Sequence, residues 1–302
     1  MHVNDTTLSI LSWKQHDVLR RTLSVFASLR VLDIFPNRRI FFNELGQADR
    51  DIAAEFGFEA IGSATNVGIF GGAKGLAEAC TTEFMLFVEN DCPPIVEADA
   101  FFDGMTRATA DMRNHNVPVF SMRSRRQPGE KFNRRERYEK YYRLEQPLCE
   151  ISNSPIAKRS PTNVLQRVAE NLRRPSLRGS ALFAEEAPHL RHPSCIQRSN
   201  NGNFLISSRI HNWSNNCLLV KADFMRDVIV PRVETHPAPT TINGHQDIEA
   251  ALKMNGWWKS RDILMGQADP GPLTHAREAV ASAGRPAQKS SRVGLQRSAA
   301  SL

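Results

Sequence analysis

The stretch EFMLFVENDCPP, residues 83–94, joins a hydrophobic run to three polar residues and a turn. A short apolar run bounded by turn residues is typical of a β-strand that is buried on both faces. The predicted strand ends on Glu89, Asn90 and Asp91. Ligands bind at the carboxyl ends of the strands in open α/β sheets, so these polar residues are the first candidates for a functional site.

Other strands and helices alternate around this run. Strands are predicted at 8–11, 38–45 and 58–63, with a helix after each of the first two and a third helix that starts from a glycine-rich turn at 71–80. This alternation indicates βαβ units, and therefore an α/β fold with a largely parallel sheet. Later in the chain, strands are predicted at 117–122, within 216–230 and at 260–265, and helices are predicted within 123–146, 163–174, 216–230 and 244–258.

Two of the other strands also end in polar residues. Ser12, Trp13 and Lys14 follow the first strand, and Asn43 and Glu44 follow the second. Polar groups from separate segments are therefore predicted to converge on one edge of the sheet.

Composition narrows the class of protein. No apolar stretch among the 302 residues approaches the ~20 that span a bilayer, and MHVNDTTLSI lacks a signal-peptide pattern, so the cytosol is the expected compartment. The cysteines are odd in number and include no C-x-x-C pair, which predicts free thiols and not a zinc site or disulfide frame. They are Cys80, Cys92, Cys149, Cys195 and Cys217.

Basic residues crowd the middle of the chain, whose net charge is +7. The segment 123–203 is predicted to be a basic insertion, within which 149–203 is a substrate-facing excursion of unspecified structure. Residues 277–302 are small, polar and basic, which predicts a disordered tail.

The interleaving of basic and tyrosine side chains around Tyr138, Tyr141 and Tyr142 has more than one interpretation. It is consistent with peripheral contact to an anionic membrane, and also with nucleic acid, which is the least favoured partner. The alternative is a solvated helix whose charges are balanced by Glu136, Glu139 and Glu145.

Four features could form a substrate site together, although each has a purely structural alternative. Glu89-x-Asp91 could bind a divalent cation, or it is a solvated acidic turn. The glycine-rich segment NVGIFGGAKG, 66–75, could bring Lys74 to a phosphate, or it is a tight turn. Asp247 at the start of a helix is otherwise a charge that favours the helix dipole, and His275 is otherwise structural.

The order of these motifs resembles that of the family 2 glycosyltransferases of the GT-A fold. LSILSWKQHDVLRRTL resembles the opening strand and helix, FFNEL the acidic end of strand two, and LFVENDC stands where D-x-D is usual. TNVGIFGGAKGLAEA resembles the N-x-G-x-x-x-A-x-N-x-G segment, and GHQDIEAALKMNGW the E-D-x-[DE] helix. The resemblance covers 7–95 and 213–275.

Several positions depart from the family pattern. Lys14 and Lys74 each stand where Asn is usual, Gln246 replaces Glu, and Glu89 replaces the first Asp. The Q-x-x-R-W signature of processive enzymes is absent, so a non-processive enzyme is expected.

The resemblance implies a GT-A (Rossmann-like) three-layer α/β/α domain over 1–276, in which 1–122 binds the nucleotide-sugar and 204–276 carries the acceptor and catalytic groups. Asp91 and His275 would hold Mn²⁺ or Mg²⁺ against the leaving diphosphate. Asp247 would be the general base that deprotonates the acceptor hydroxyl, with inversion of the anomeric centre. The residues implied to surround the nucleotide-sugar are Ser12, Trp13, Asn43, Glu44, Asn66, Gly68, Lys74 and Glu89.

Trp213 is a candidate contact for a saccharide or lipid-linked acceptor, with a core tryptophan as the alternative. The implied function is metal-dependent, inverting transfer of a sugar from a nucleotide-sugar donor to a hydroxyl acceptor. Nucleotidyl transfer is less favoured because SWKQHD has no glycine. A non-catalytic relative that binds an anionic membrane or nucleic acid is the remaining alternative.

Overall fold

The structure is a computed structural model that describes residues 1–129, 132–148, 176–239 and 241–276. The predicted tail at 277–302, the predicted helix at 163–174 and Cys149 lie outside these ranges.

Among the described residues, one mixed sheet of nine strands forms the centre of the protein, in the order β3-β2-β1-β4-β8-β5-β9-β7-β6. Seven of these nine strands run in one direction, and the other two, β8 and β7, are antiparallel to them. The strands are β1 Thr6–Ser12, β2 Asn37–Phe42, β3 Glu59–Gly62, β4 Phe84–Glu89, β5 Val119–Ser121, β6 Ile196–Arg198, β7 Phe204–Ser207, β8 Leu218–Lys221 and β9 Leu264–Gln267.

Helices connect these strands and cover the sheet. The α-helices are α1 His16–Ser28, α2 Gln47–Glu55, α3 Gly68–Ala79, α4 Ala98–Asn114, α5 Arg134–Glu139, α6 Ser176–Gly179, α7 Pro188–Arg191, α8 Ala222–Phe224, α9 Val230–Thr235, α10 Ile248–Lys253 and α11 Trp257–Ser260. A π-helical turn, Met225–Ile229, joins α8 to α9, and 3₁₀ turns lie at Val31–Ile34, Ser180–Phe183 and Met254–Gly256. In the ranges that the structure describes, none of the helices combines the length and apolar character needed to cross a bilayer.

The strand β4 is buried on both faces, as its sequence predicts. Phe84, Leu86 and Val88 belong to the core shared with α1 and α4, whereas Met85 and Phe87 belong to the core shared with α3, α9 and α10. Alternate side chains of a strand point to opposite faces. Helices therefore cover both faces of the sheet, which confirms the three-layer α/β/α architecture with a largely parallel mixed sheet.

The glycine-rich segment differs from its prediction as a turn before a helix. Helix α3 already begins at Gly68, so GGAKG lies inside it. A Cβ at Gly72 would stand 2.3 Å from Leu11 Cδ1, and one at Gly75 would stand 2.4 Å from Phe41 Cε2. These glycines let α3 pack closely on β1 and β2, which is a structural reason for them.

The helix predicted within 123–146 is also mostly absent from the described part of that segment. Only Arg134–Glu139 is helical. The preceding chain turns at Gly129, which has φ +81° and forms a bridge to His275. A left-handed residue paired with a distant segment cannot continue an α-helix, so the tertiary contact overrides the local helical tendency.

Candidate functional site

The polar ends of β1, β2 and β4 lie along one edge of the sheet, as the sequence predicts. The Asn43 N–H donates to the Ser12 carbonyl (3.1 Å), and the Asn90 N–H donates to the Leu11 carbonyl (3.1 Å). These bonds continue the parallel ladders past the ends of the strands, and so hold the three polar segments side by side.

An acidic and imidazole cluster lies at the end of β4. One ligand atom each from Glu89, Asp91 and His275 lies within 4.8 Å of the others. Asp91 and His275 are both buried, and Asp91 Oδ2 is 3.1 Å from His275 Nε2. The Ala276 N–H also donates to the Asp91 carbonyl (2.9 Å). These hydrogen bonds join the segments around Asp91 and His275, which are far apart in sequence.

The cluster is compatible with one hard divalent cation. Two ligands of one ion lie at most twice the bond length apart, about 4.2 Å for Mg²⁺–oxygen bonds of ~2.1 Å. The three atoms therefore need to approach by only a fraction of an ångström. Carboxylate oxygens suit Mg²⁺ and Mn²⁺, while an imidazole nitrogen suits transition metals.

Gly129 positions His275 and is not identified by sequence analysis. A Cβ at this residue would lie 2.0 Å from the His275 carbonyl oxygen, which leaves room only for glycine. The QPGE sequence indicates a turn, but nothing in it indicates which segment the turn contacts.

The predicted nucleotide-side residues Asn43, Asn66 and Gly68 are brought together at the start of α3. Asn43 Oδ1 accepts from the Val67 N–H (2.9 Å), and Asn66 Oδ1 accepts from the Gly68 N–H (2.8 Å). Gly68 has φ +71°, and a Cβ there would lie 2.3 Å from His245 Cβ. Both asparagines thus hold the turn that leads into the helix.

Ser12, Trp13 and Glu44 lie at the ends of β1 and β2. Lys14 Nζ forms an ion pair with Glu44, and Trp13 Nε1 lies 3.5 Å from Glu44 Oε2. The hydrogen bond from Lys14 is the main cause that lowers the pKa of Glu44. Ser12 is buried, and its Oγ has no hydrogen-bond partner among the residues that the structure describes.

Lys74 is not brought to the acidic cluster in this structure. Its ammonium group lies 2.6 Å from Glu234 on α9 and 3.8 Å from Glu78. The hydrogen bond with Glu234 is the main cause that raises the pKa of Lys74. Because α3 begins at Gly68, Lys74 lies in the second turn and is not at the helix terminus.

Asp247 is the N-cap of α10. Its Oδ2 accepts from the Ala250 N–H (3.0 Å), and its Oδ1 accepts from Asn215 Nδ2 (3.0 Å). Asn215 Oδ1 in turn accepts from Trp213 Nε1 (2.9 Å). Asn215 is a positioning residue that the sequence analysis missed, because WSNN carries no signal for a contact with a residue 32 positions away.

Trp213 is in the core, as the alternative interpretation of this residue expects. Only 2% of it is exposed, and its ring makes an edge contact with Trp258 at a centroid distance of 5.4 Å. Its described contacts support Asp247 through Asn215.

Some basic residues of the segment 123–203 are buried and make contacts inside the protein. Arg125 is buried, and it donates to the Asp269 carboxylate (2.5 Å) and to the carbonyls of Leu182 and Glu185 (2.6 and 2.7 Å). Tyr138 is also buried, and its ring stacks on that of Tyr142 at 4.6 Å. The basic charge of this segment is therefore only partly available at the surface.

No family model and no curated protein matches the chain. Among solved structures, S. aureus TarS is similar with a TM-score of 0.46 and 10% identity, over 90% of this chain and 36% of that one. A shorter TarS chain gives 0.44 and 8%, over 90% and 60%.

Glucosyl-3-phosphoglycerate synthase from Mycobacterium tuberculosis, in complex with Mn²⁺, UDP-glucose and phosphoglyceric acid, has a TM-score of 0.31 and 7% identity. That match covers 39% of this chain and 43% of the synthase. The present chain thus spans less than two thirds of each of these proteins. With every TM-score below 0.5, we transfer no residue role or ligand from them.

Proposed function

We propose that this protein is a metal-dependent, inverting, non-processive glycosyltransferase that moves a sugar from a nucleotide-sugar donor to a hydroxyl acceptor. The observation that carries the proposal is the placement of a cation-compatible cluster and a buried carboxylate at one edge of the sheet. The cluster is Glu89, Asp91 and His275, and the carboxylate is Asp247.

The sheet order explains how these two groups come to share an edge. Strand β8 pairs antiparallel with β4, with Leu218 opposite Phe87. The residues before β8 therefore lie beside the residues after β4. Asn215 is one of them, and it holds the Asp247 carboxylate by a hydrogen bond.

Each group has a role in transfer. When bound at Asp91 and His275, with Glu89 beside them, Mn²⁺ or Mg²⁺ would supply the positive charge that a leaving diphosphate needs. Asp247 accepts the proton of the acceptor hydroxyl. The bonds from Ala250 and Asn215 hold this carboxylate in place, and a carboxylate has lone pairs left for the proton after accepting both. Ser12, Trp13 and Asn43 or Glu44 would surround the base and ribose of the donor.

Donor binding is expected to depend on both the metal and Asp91. A panel of UDP-, GDP-, dTDP- and CMP-sugars, with and without Mn²⁺, should stabilise the protein with one nucleotide, and only with the metal present. At a hundredfold excess over Kd the gain is ~2.7 kcal/mol, measured by thermal unfolding. Asp91→Asn should abolish the gain. Asp33→Asn should retain it, because Asp33 is an exposed partner of Arg30 in another part of the fold.

A lack of stabilisation by every donor, with Mn²⁺ and with Mg²⁺, would contradict the proposal. Stabilisation that persists without metal, or in Asp91→Asn, would contradict the assignment of the metal site alone.

We also propose a saccharide or lipid-linked acceptor and a cytoplasmic enzyme that contacts an anionic membrane peripherally. The exposed basic residues Arg137, Lys140 and Arg143 support this contact. Each is worth ~1 kcal/mol near an anionic surface, so replacing all three by Gln should weaken vesicle binding by roughly a hundredfold. Sedimentation with anionic and neutral vesicles measures this. Equal binding to both vesicle types, or a preference for RNA, would reject it.

A further inference from the structure

A small pocket with both polar and apolar lining lies at the same edge of the sheet as the candidate metal cluster and is not used by the proposed mechanism. Its walls include Ser121 of β5, Leu218 of β8 and Met265 of β9, and Arg123, Arg134 and His211 close it. Its volume of about 20 Å³ is enough for one water molecule.

Two guanidinium groups face this pocket around a single aromatic ring. Arg123 lies 4.8 Å and Arg134 lies 5.7 Å from the centroid of Phe132. Burial and the charge of Arg123 lower the pKa of Arg134 to about 10. Both arginines are thus cationic at neutral pH, and each makes the charge of the other less favourable.

His211 adds no further positive charge to the pocket. Arg134 Nη1 lies 3.4 Å from His211 Nδ1, so the arginine donates and the imidazole accepts. Burial, followed by the charge of Arg134, lowers the pKa of His211 well below its usual value. The histidine is therefore neutral, and its other ring nitrogen is an N–H donor.

Arg134, which is partly buried, differs from the fully buried Arg125 of this segment in its partners. Arg125 pairs with the Asp269 carboxylate at 2.5 Å. Within the described ranges, Arg134 has no carboxylate within ion-pairing distance, and its ring contacts are with Phe132 and Phe183. Removing a cation from water without an anionic partner is costly, so the site favours an anion.

An acceptor atom in the same pocket also lacks a partner. The Asn216 Oδ1 atom is buried and has no hydrogen-bond partner among the described residues. A hydroxyl or N–H group next to the bound anion would satisfy it.

The pocket lies between the two groups proposed for sugar transfer. The Pro128 carbonyl accepts hydrogen bonds from both Arg123 Nε and the His275 N–H, so the Arg123 guanidinium lies beside the metal cluster. On the other side, Asn216 is the chain neighbour of Asn215, which holds Asp247. A ligand in the pocket would therefore be part of the transferred sugar or of the acceptor.

We propose that Arg123, Arg134 and His211 bind an anionic oxygen group, a carboxylate or a phosphate, carried by the substrate at the transfer site. The enzyme would then use an acidic sugar or an acidic acceptor, a conclusion that rests on the proposed glycosyltransferase function. Because the pocket has room for about one water molecule, it would hold only the charged end of the group and leave the sugar ring outside.

Inorganic phosphate is the probe for the pocket itself. Phosphate should stabilise the wild type against thermal unfolding at constant ionic strength, with chelator present so that no divalent metal contributes. Arg134→Gln should bind phosphate at least tenfold more weakly, and it should be no less stable than the wild type without phosphate, because the charge that is removed has no ion-pair partner among the described residues. Arg30→Gln, an exposed arginine that pairs with Asp33 in another part of the fold, is the matched control and should behave as the wild type.

Arg134→Lys keeps the positive charge but loses the bidentate hydrogen-bonding geometry of the guanidinium group. It provides a second variant if Arg134→Gln does not fold. It should also weaken phosphate binding. Equal phosphate affinity in the wild type and in the Arg134 variants would overturn the proposal.

The source of the anionic group is then determined with a matched pair of donors, UDP-glucose and UDP-glucuronic acid or the equivalent pair for the base that binds. A preference for the uronic acid that disappears in Arg134→Gln assigns the group to the donor. No preference, together with Arg134-dependent phosphate binding, assigns it to the acceptor.

These results separate failure of the pocket from failure of the proposed function. Phosphate binding should persist in Asp91→Asn, whereas metal-dependent donor binding should not. Arg134-dependent phosphate binding without any donor binding would retain the anion site and reject the glycosyltransferase. The opposite result would reject only the pocket.

Discussion

Asp247→Asn is expected to lower the rate of sugar transfer by ~10²–10⁴-fold, the usual contribution of a positioned general base. The amide cannot accept the proton of the acceptor hydroxyl as a carboxylate does. Donor binding should be unchanged, because the proposed donor contacts belong to other segments, at the ends of β1, β2 and β4. The measurement is kcat with the donor found in the panel, alongside metal-dependent thermal stabilisation by that donor.

Asn is the informative replacement at this position because Asp247 also caps α10. Asparagine and aspartate are about equally good N-caps. Ala250 and Asn215 donate to different carboxylate oxygens, and in asparagine one of these oxygens becomes an NH2 group that cannot accept, so one hydrogen bond is lost at a cost of ~1 kcal/mol. The variant should therefore remain folded.

Asp99→Asn makes the same change of charge in the first turn of α4, where the residue is exposed. It should retain full activity. Full activity in Asp247→Asn as well would show that another group takes the proton, and the base assignment would be wrong.

Trp213→Ala is expected to lower the free energy of unfolding by ~3–5 kcal/mol, the usual cost of truncating a large aromatic side chain in a core. Trp213 packs edge-on against Trp258, and its indole N–H donates to Asn215. Truncation leaves both a cavity and an unpaired Asn215 oxygen. Urea unfolding measures the loss.

Trp257→Ala is the matched control, because Trp257 neighbours Trp258 but is only partly buried. Its loss of stability should be clearly smaller. If Trp213→Ala instead keeps wild-type stability and raises only the KM for the acceptor, the acceptor-contact interpretation of Trp213 is correct and its role in the core is not.

The general architecture could be predicted from local sequence because its signals are local. The runs that form β1, β2 and β4 are short and apolar and end in polar residues, a pattern that indicates parallel strands between two layers of helices. Predictions of secondary structure failed where contacts with distant segments set the local conformation. The helical pattern of 123–146 gives way at Gly129, which pairs with His275. The glycines near Lys74 pack a helix on the sheet and do not form the predicted turn.

The candidate site could also be predicted only in part from the sequence. Sequence alone identified the acidic end of β4, Asp247 and His275 as separate features, and only a family resemblance placed them together. Their actual contacts are set by the tertiary structure. His275 reaches Asp91 across 184 positions, and Asn215 reaches Asp247 because β8 is inserted between β4 and β5.

By itself, therefore, the sequence determined the burial pattern of the strands, the largely parallel α/β sheet and the types of chemical group available. Only the tertiary structure decided that Lys74 pairs with Glu234, that Trp213 is in the core and that Arg134 lies beside Arg123 without a carboxylate partner among the described residues. The physical reason is that burial of apolar residues follows from periodicity along the chain. Pairing between side chains depends on strand order and register, which join residues more than a hundred positions apart.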